Sequence, residues 1–139
     1  MGKTPQKQPF YFSPHHLYLL QTEEKNEKNQ TMYKFGITSQ TTKSRKRNIE
    51  KERGLDYVIV WETNETDETN GFLIKLFENT VFFSIGKLHG KNFSFLCENH
   101  FFSDMPTEKM KMMLQELFEE TKKFSKKIVK ICKKYTDSN

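Results

Sequence analysis

The sequence predicts an α+β fold: a small three-stranded antiparallel sheet flanked by helices and followed by a long C-terminal helix. Three observations carry that expectation. Leu17–Leu20 and Met32–Thr38 are short apolar runs of strand length with a polar stretch between them. Phe72, Leu73, Leu76, Phe77 and Phe83 recur at helical spacing, and from Met110 to Tyr135 one face recurs at steps of three and four, apolar except at Thr121.

Taken in order, residues 1–13 are polar with two prolines and read as a flexible N-terminal arm. Leu17-Tyr18-Leu19-Leu20 is too short for a helix and reads as a buried strand. Residues 21–31 carry no apolar anchor and are expected to be a mobile hairpin loop leading to a second strand over 32–38. Residues 41–53 suit a short basic helix whose only apolar residue is Ile49 and which Gly54 ends. Leu55–Trp61 is the third strand, closed by the acidic stretch Glu62–Glu68. A helix of about 15 residues then runs from near Asp67 to near Ser84. Phe93–Cys97 is a further short extended piece. The last helix spans Pro106 to Tyr135, with Asp104 where a cap would sit and Pro106 in the first turn. The domain is expected over 14–103 and the long helix over 104–135.

Leu, Ile, Val and Phe number 34 of 139 residues, a thin supply that the 13 phenylalanines enlarge in buried area. Twenty lysines and nine asparagines with no alanine suggest an AT-rich coding genome, so lysine count by itself is weak evidence for a nucleic-acid ligand. The longest apolar run, Tyr57–Trp61, is far below the ~18 residues that span a bilayer, and the N-terminus lacks the hydrophobic segment of a signal peptide. Two cysteines make no disulfide framework. The expectation is a soluble, non-secreted protein without membrane partners. It would be cytoplasmic, or in the nucleus or virus factory of a eukaryotic host if viral.

Tyr18 in the first strand, Tyr33-Lys34-Phe35-Gly36-Ile37-Thr38 in the second, Arg45 on the first helix and Glu78 on the second form an ordered set. Over residues 16–102 this set resembles the GIY-YIG nuclease superfamily. Lys34 stands where most members carry a tyrosine, as in a small phage- and virus-associated branch. The resemblance implies a divalent-metal-dependent endonuclease hydrolysing phosphodiester bonds in DNA, ahead of RNA, with Mg²⁺ or Mn²⁺ as cofactor. Phosphodiester hydrolysis needs a deprotonated water and a stabilised anion. Tyr18 would be the general base. Because a phenol titrates near 10, it needs a nearby cation, a role given to Lys34. Arg45 would clamp the phosphate with its planar donors, with Arg47 as runner-up. Glu78 would hold the metal, with Glu68 as its competitor. Tyr33, Gly36, Lys43 and Arg47 would line the substrate path, and Asn99, near the last strand, would join them. Specificity would come from residues 21–31, from the arm, or from a homodimer through the C-terminal helix.

The bland readings stand beside these. Tyr18 is also an ordinary core tyrosine, and His15 and His16 are either loop residues or proton carriers beside Tyr18. Cys97-x-x-His100 has metal-ligand spacing but no second pair at a zinc-site distance. Lys122 to Lys134 holds seven lysines and no acidic residue, which is either a solvated helix end or a surface that tracks phosphates. The rival to the nuclease is a catalytically inactive nucleic-acid-binding module of the same fold. Another is a structural protein that assembles through the last helix. If the nuclease resemblance holds, Tyr18, Lys34, Arg45 and Glu78 should converge on one face of the sheet.

Overall fold

The computed structural model describes residues 13–63, 70–97 and 99–136. The chain runs β1 (His16–Lys25), β2 (Thr31–Thr38), α1 (Thr42–Arg53), β3 (Val58–Glu62), α2 (Gly71–Lys87), β4 (Phe93–Cys97), β5 (His100–Ser103) and α3 (Thr107–Thr136). The class is α+β as expected, but the sheet has five strands rather than three, in the order β3-β1-β2-β5-β4 with every pair antiparallel. The extra two come from the aromatic segment after α2. Phe93–Cys97 folds back on His100–Ser103, and β5 adds to β2 through Tyr33↔Phe101 and Lys34↔His100. Residues 1–12 of the arm expected over 1–13, and residues 64–69 of the acidic stretch, with Asp67 and Glu68, lie outside the described residues.

The expected loop over 21–31 is also corrected. β1 continues to Lys25 and only Asn26–Gln30 turns. The Asn26 Oδ1 accepts from the backbone N–H groups of Lys28 and Gln30, and Asn29 takes the left-handed conformation at φ 63°. Gln30 is buried and its side-chain oxygen accepts from Asn26 Nδ2 and from Ser94 Oγ, tying the turn to β4. Backbone pairing, with Thr22 buried and donating to the Met32 carbonyl, holds what apolar burial does not.

Alternation along the strands splits the side chains between two faces. Leu17, Leu19, Tyr33 and Phe35 join Leu73, Ile74, Phe77, Val81 and Ile85 of α2 and Met110, Leu114 and Phe118 of α3 in the main core. Tyr18, Leu20, Ile49 and Tyr57 form a second, smaller cluster under α1. α1 starts where Thr41 Oγ1 accepts from Ser44 N–H and stops at Gly54, whose φ of 66° suits a residue without Cβ. α2 begins later than expected, because Asn70 Oδ1 caps Leu73 N–H at 2.9 Å. Asp104 does not cap α3. Its carboxylate accepts from Asn92 Nδ2, and the Pro106 carbonyl takes the first helical bond from Met110.

α3 has two halves. The first is anchored by Phe118, whose ring lies 5.2 Å from Phe77 and 6.2 Å from Trp61, centroid to centroid, and by Trp61 Nε1 donating to Gln115. Burial ends at Thr121. The apolar stripe continues through Phe124, Ile128, Ile131 and Tyr135, but these side chains are exposed rather than docked on the domain. Phe124 is 53 % exposed and Tyr135 74 %. Among the described residues no helix is long and apolar enough to cross a membrane.

Truncating Phe118 should therefore cost far more than truncating a residue further along the same stripe. Phe118→Ala is expected to lose about 3–5 kcal/mol, the range for large-to-small changes in a packed core. Phe124→Ala should stay within about 0.5 kcal/mol. Urea midpoints of the two variants decide it, and equal losses would mean that the second half of α3 is packed after all.

Candidate functional site

The end of the sheet where β1 begins, β2 ends and β4 turns into β5 opens between α1 and α2 as a cleft of about 650 Å³. Its lining comes from every one of these elements. His15 precedes β1, Thr38, Ser39 and Gln40 close or follow β2, Arg45 and Asn48 come from α1, Lys75 and Glu78 from α2, and Asn99 from the β4–β5 turn.

Tyr18 lies beneath this cleft, 1 % exposed. In the antiparallel register it stands opposite Gly36, so both face the same side of the sheet. The tyrosine ring crosses the neighbouring strand at the glycine, and a Cβ built at Gly36 would overlap the Tyr18 hydroxyl and ring edge. No other residue leaves that space. The phenol oxygen accepts a hydrogen bond from Arg45 and feels the charge of Glu78. Burial is the largest influence and holds the Tyr18 hydroxyl above its ordinary pKa, with Arg45 pulling in the opposite direction.

Glu78 is nearly buried on α2, one turn after Lys75, whose ammonium sits 2.8 Å from Oε1. Its position follows from the helix. Phe77 turns into the core, and the next residue lies about 100° round the axis, at the edge of the helix that borders the cleft. His15 Nδ1 donates to the Ser13 carbonyl at 3.0 Å, which in the neutral ring leaves the lone pair on Nε2. Asn99 holds φ 64° while its carbonyl accepts from Phe35 N–H at 2.7 Å, which locks the turn against β2.

Tyr18, Gly36, Arg45, Glu78 and Asn99 thus come together. The other expected residues do not. Tyr33 is one residue out of phase with Lys34 and Gly36, so its ring goes to the opposite face and stacks on Phe101 at 5.5 Å inside the main core. It is not on a substrate path. Lys34 shares the face of Tyr18 but pairs across from Leu20 and His100, away from the cleft lining, and the cation at the phenol is Arg45 instead. Lys43 and Arg47 on α1 do not line the cleft, which leaves Arg45 rather than Arg47 as its arginine. Two cleft residues on the helices went unseen in the sequence. Asn48 lies three positions after Arg45, a helical step that would have found it, and Lys75 lies three before Glu78.

Comparison with protein-family models, with curated proteins and with solved structures yields no match to this chain.

The two phenols of the smaller cluster give the site a pH signature. Burial raises Tyr57 as well as Tyr18 above 10.0, and among the described residues the Tyr57 hydroxyl is buried with no hydrogen-bond partner. An unfolded chain releases these protons near pH 10, whereas the folded chain retains them. Their contribution is therefore intact below the unfolded value and is lost as pH climbs through the folded values. Denaturant midpoints between about pH 9 and 11 should fall in the natural chain and fall less in Tyr18→Phe and Tyr57→Phe. A decline equally steep in both variants would rule out these two groups as its source.

Proposed function

We propose that the chain is a GIY-YIG-type endonuclease that hydrolyses phosphodiester bonds in DNA. The observation that supports this best is the convergence of Tyr18, Arg45, Glu78 and Asn99 on one cleft from four separate parts of the chain.

Arg45 binds a phosphate through its planar donors while one of its N–H groups stays on Tyr18. Tyr18 accepts the proton of the attacking water. Only the phenolate does so, and with a pKa above 10.0 the phenolate is a small fraction at neutral pH, so the rate should climb with pH. Among the described residues Glu78 is the carboxylate lining the cleft, whose wall also carries the hydroxyl and amide groups of Thr38, Ser39, Gln40, Asn48 and Asn99. That donor set suits a hard cation that keeps several of its waters, as Mg²⁺ or Mn²⁺ does when held by one or two carboxylates and substrate phosphate oxygens. Bound there, such an ion would neutralise charge developing on the phosphate. Asn99 and His15 border the same space and can orient the attacking water.

The second reading, a non-catalytic nucleic-acid-binding module, is favoured by one observation: Tyr18 is buried under Arg45 rather than open to the cleft. Nicking of supercoiled plasmid with Mg²⁺ or Mn²⁺, with and without chelator, separates the two. The expected outcome is nicking that chelator stops. Glu78→Gln should abolish it with duplex binding nearly unchanged, and Tyr18→Phe should slow it by about 10²–10⁴-fold, the span of general-base contributions. Salt-sensitive DNA binding without any nicking would establish the binding module.

The lysines of the exposed half of α3 would bind phosphates distant from the chemistry. Lys122 and Lys123 are engaged with Glu119 and Glu120 one turn earlier and Lys134 lies over the Tyr135 ring, which leaves Lys126, Lys127, Lys130 and Lys133 as the test set. Replacing those four with glutamine should flatten the log–log dependence of DNA affinity on salt, by about 0.9 for every lysine that neutralises a phosphate. The rate at saturating DNA should stay unaltered. An unchanged slope would assign phosphate binding to α1.

A further inference from the structure

The carboxylate proposed to hold the metal already has a cation. Lys75 and Glu78 lie one turn apart on α2 and both line the cleft, with Nζ 2.8 Å from Oε1. The pair is lopsided. The Glu78 side chain is 9 % exposed and that of Lys75 is 51 %. The carboxylate is fixed in the wall, while the ammonium reaches it along a flexible four-carbon stem that solvent surrounds. Among the described residues the other lysine or arginine lining the cleft, Arg45, is bonded to the Tyr18 phenol. Lys75 is thus the cation in contact with Glu78.

We infer that Lys75 is a tethered competitor for the divalent cation at Glu78. It neutralises the carboxylate in the resting protein, is displaced when the ion binds, and then turns its ammonium to the substrate phosphate. This rests on the proposed role of Glu78. A Mg²⁺ ion approaches a carboxylate oxygen to about 2.0–2.1 Å. It and an ammonium 2.8 Å from Oε1 would therefore crowd the same carboxylate and compete for its charge. Like charges that close repel, and only the lysine has solvent-exposed freedom to leave. Once released, Lys75 faces across the cleft from Arg45, and a phosphate between them would be held by both. Metal and DNA would then bind with positive coupling, each favouring the state in which Lys75 has left Glu78.

Three consequences distinguish this from a merely structural ion pair. Without DNA, Lys75→Met should bind the ion more tightly. A bound duplex should tighten ion binding in the natural chain. That tightening should shrink in Lys75→Met.

Titration of Mn²⁺ followed by the spectrum of the free ion measures all three on the full chain, with no turnover involved. The natural chain, Lys75→Met, Lys75→Gln and Glu78→Gln are compared alone and with a short phosphorothioate duplex. Both lysine variants should bind Mn²⁺ about two- to fivefold more tightly than the natural chain, the scale expected when a partly exposed ion pair no longer competes. The duplex should enhance binding less in them, and Glu78→Gln should lose the site. If the lysine variants bind no more tightly while Glu78→Gln still loses the ion, Lys75 is no competitor and the metal assignment stands. If Glu78→Gln binds Mn²⁺ as the natural chain does, the metal assignment falls and this inference with it. Lys75→Gln guards against a misfolded Lys75→Met, since both remove the charge and need only one well-folded chain.

Discussion

The site depends on one steric constraint: the ring of Tyr18 crosses the neighbouring strand at a residue with no side chain. Because Gly36 leaves that space, the phenol lies against β2 beneath the cleft, with its oxygen hydrogen-bonded to Arg45. Any Cβ at Gly36 would push the ring out, and Arg45 would lose the acceptor that fixes it. The same close approach explains why the phenol is shielded enough for burial to dominate its titration. Local backbone, packing and electrostatics of the candidate site are therefore one arrangement rather than three.

Around that crossing the two faces of the sheet divide the work. One face is filled by aromatic packing between α2, α3 and the odd-numbered residues of β2, and only Ile37 of that set also borders the cleft among the described residues. The other carries the small cluster under α1, where Ile49 is the helix's sole large apolar anchor and Glu50 accepts from the Tyr57 N–H at 2.9 Å. α2 serves both. Phe77 belongs to the core and Glu78 to the cleft, so the rigid body that stabilises the fold also fixes the carboxylate.

Much of this was legible in the sequence, and the parts that were not share physical causes. The helices and the first strand pair announce themselves by apolar periodicity, and Tyr18, Arg45 and Glu78 stand on elements whose order was plain. Parity along β2 would have removed Tyr33 from the site, because Gly36 and Tyr33 are an odd number of residues apart and so face opposite ways. The strand segment over Gln21–Lys25 was missed because its side chains are largely polar and exposed; only its backbone ladder marks it. β5 was hidden by the shortness of both its strand and its turn, although Asn99, a residue that tolerates positive φ, was a signal for the hairpin. Lys34 shares the face of Tyr18 two residues along the strand from Gly36, while the hydrogen bond on the phenol comes from Arg45 of α1. The exposed end of α3 could not be read because amphipathic spacing says which face is apolar, not whether anything covers it.

That last helix also sets how the molecule loses structure. Up to Thr121 its hydrogen bonds lie against the core and can open only when the core does. Beyond it, exposed turns carry only helical propensity, lysines favourably placed near the carboxyl end of the helix dipole and a few local contacts such as Lys134 over the Tyr135 ring. Some four turns of isolated helix are marginal in water. Amides after Thr121 should therefore exchange through local opening, faster than those of the half of α3 packed on the core. Helical signal will fade on warming well before the aromatic core gives way, so a melting curve taken from helicity alone will describe the tail first and the domain second.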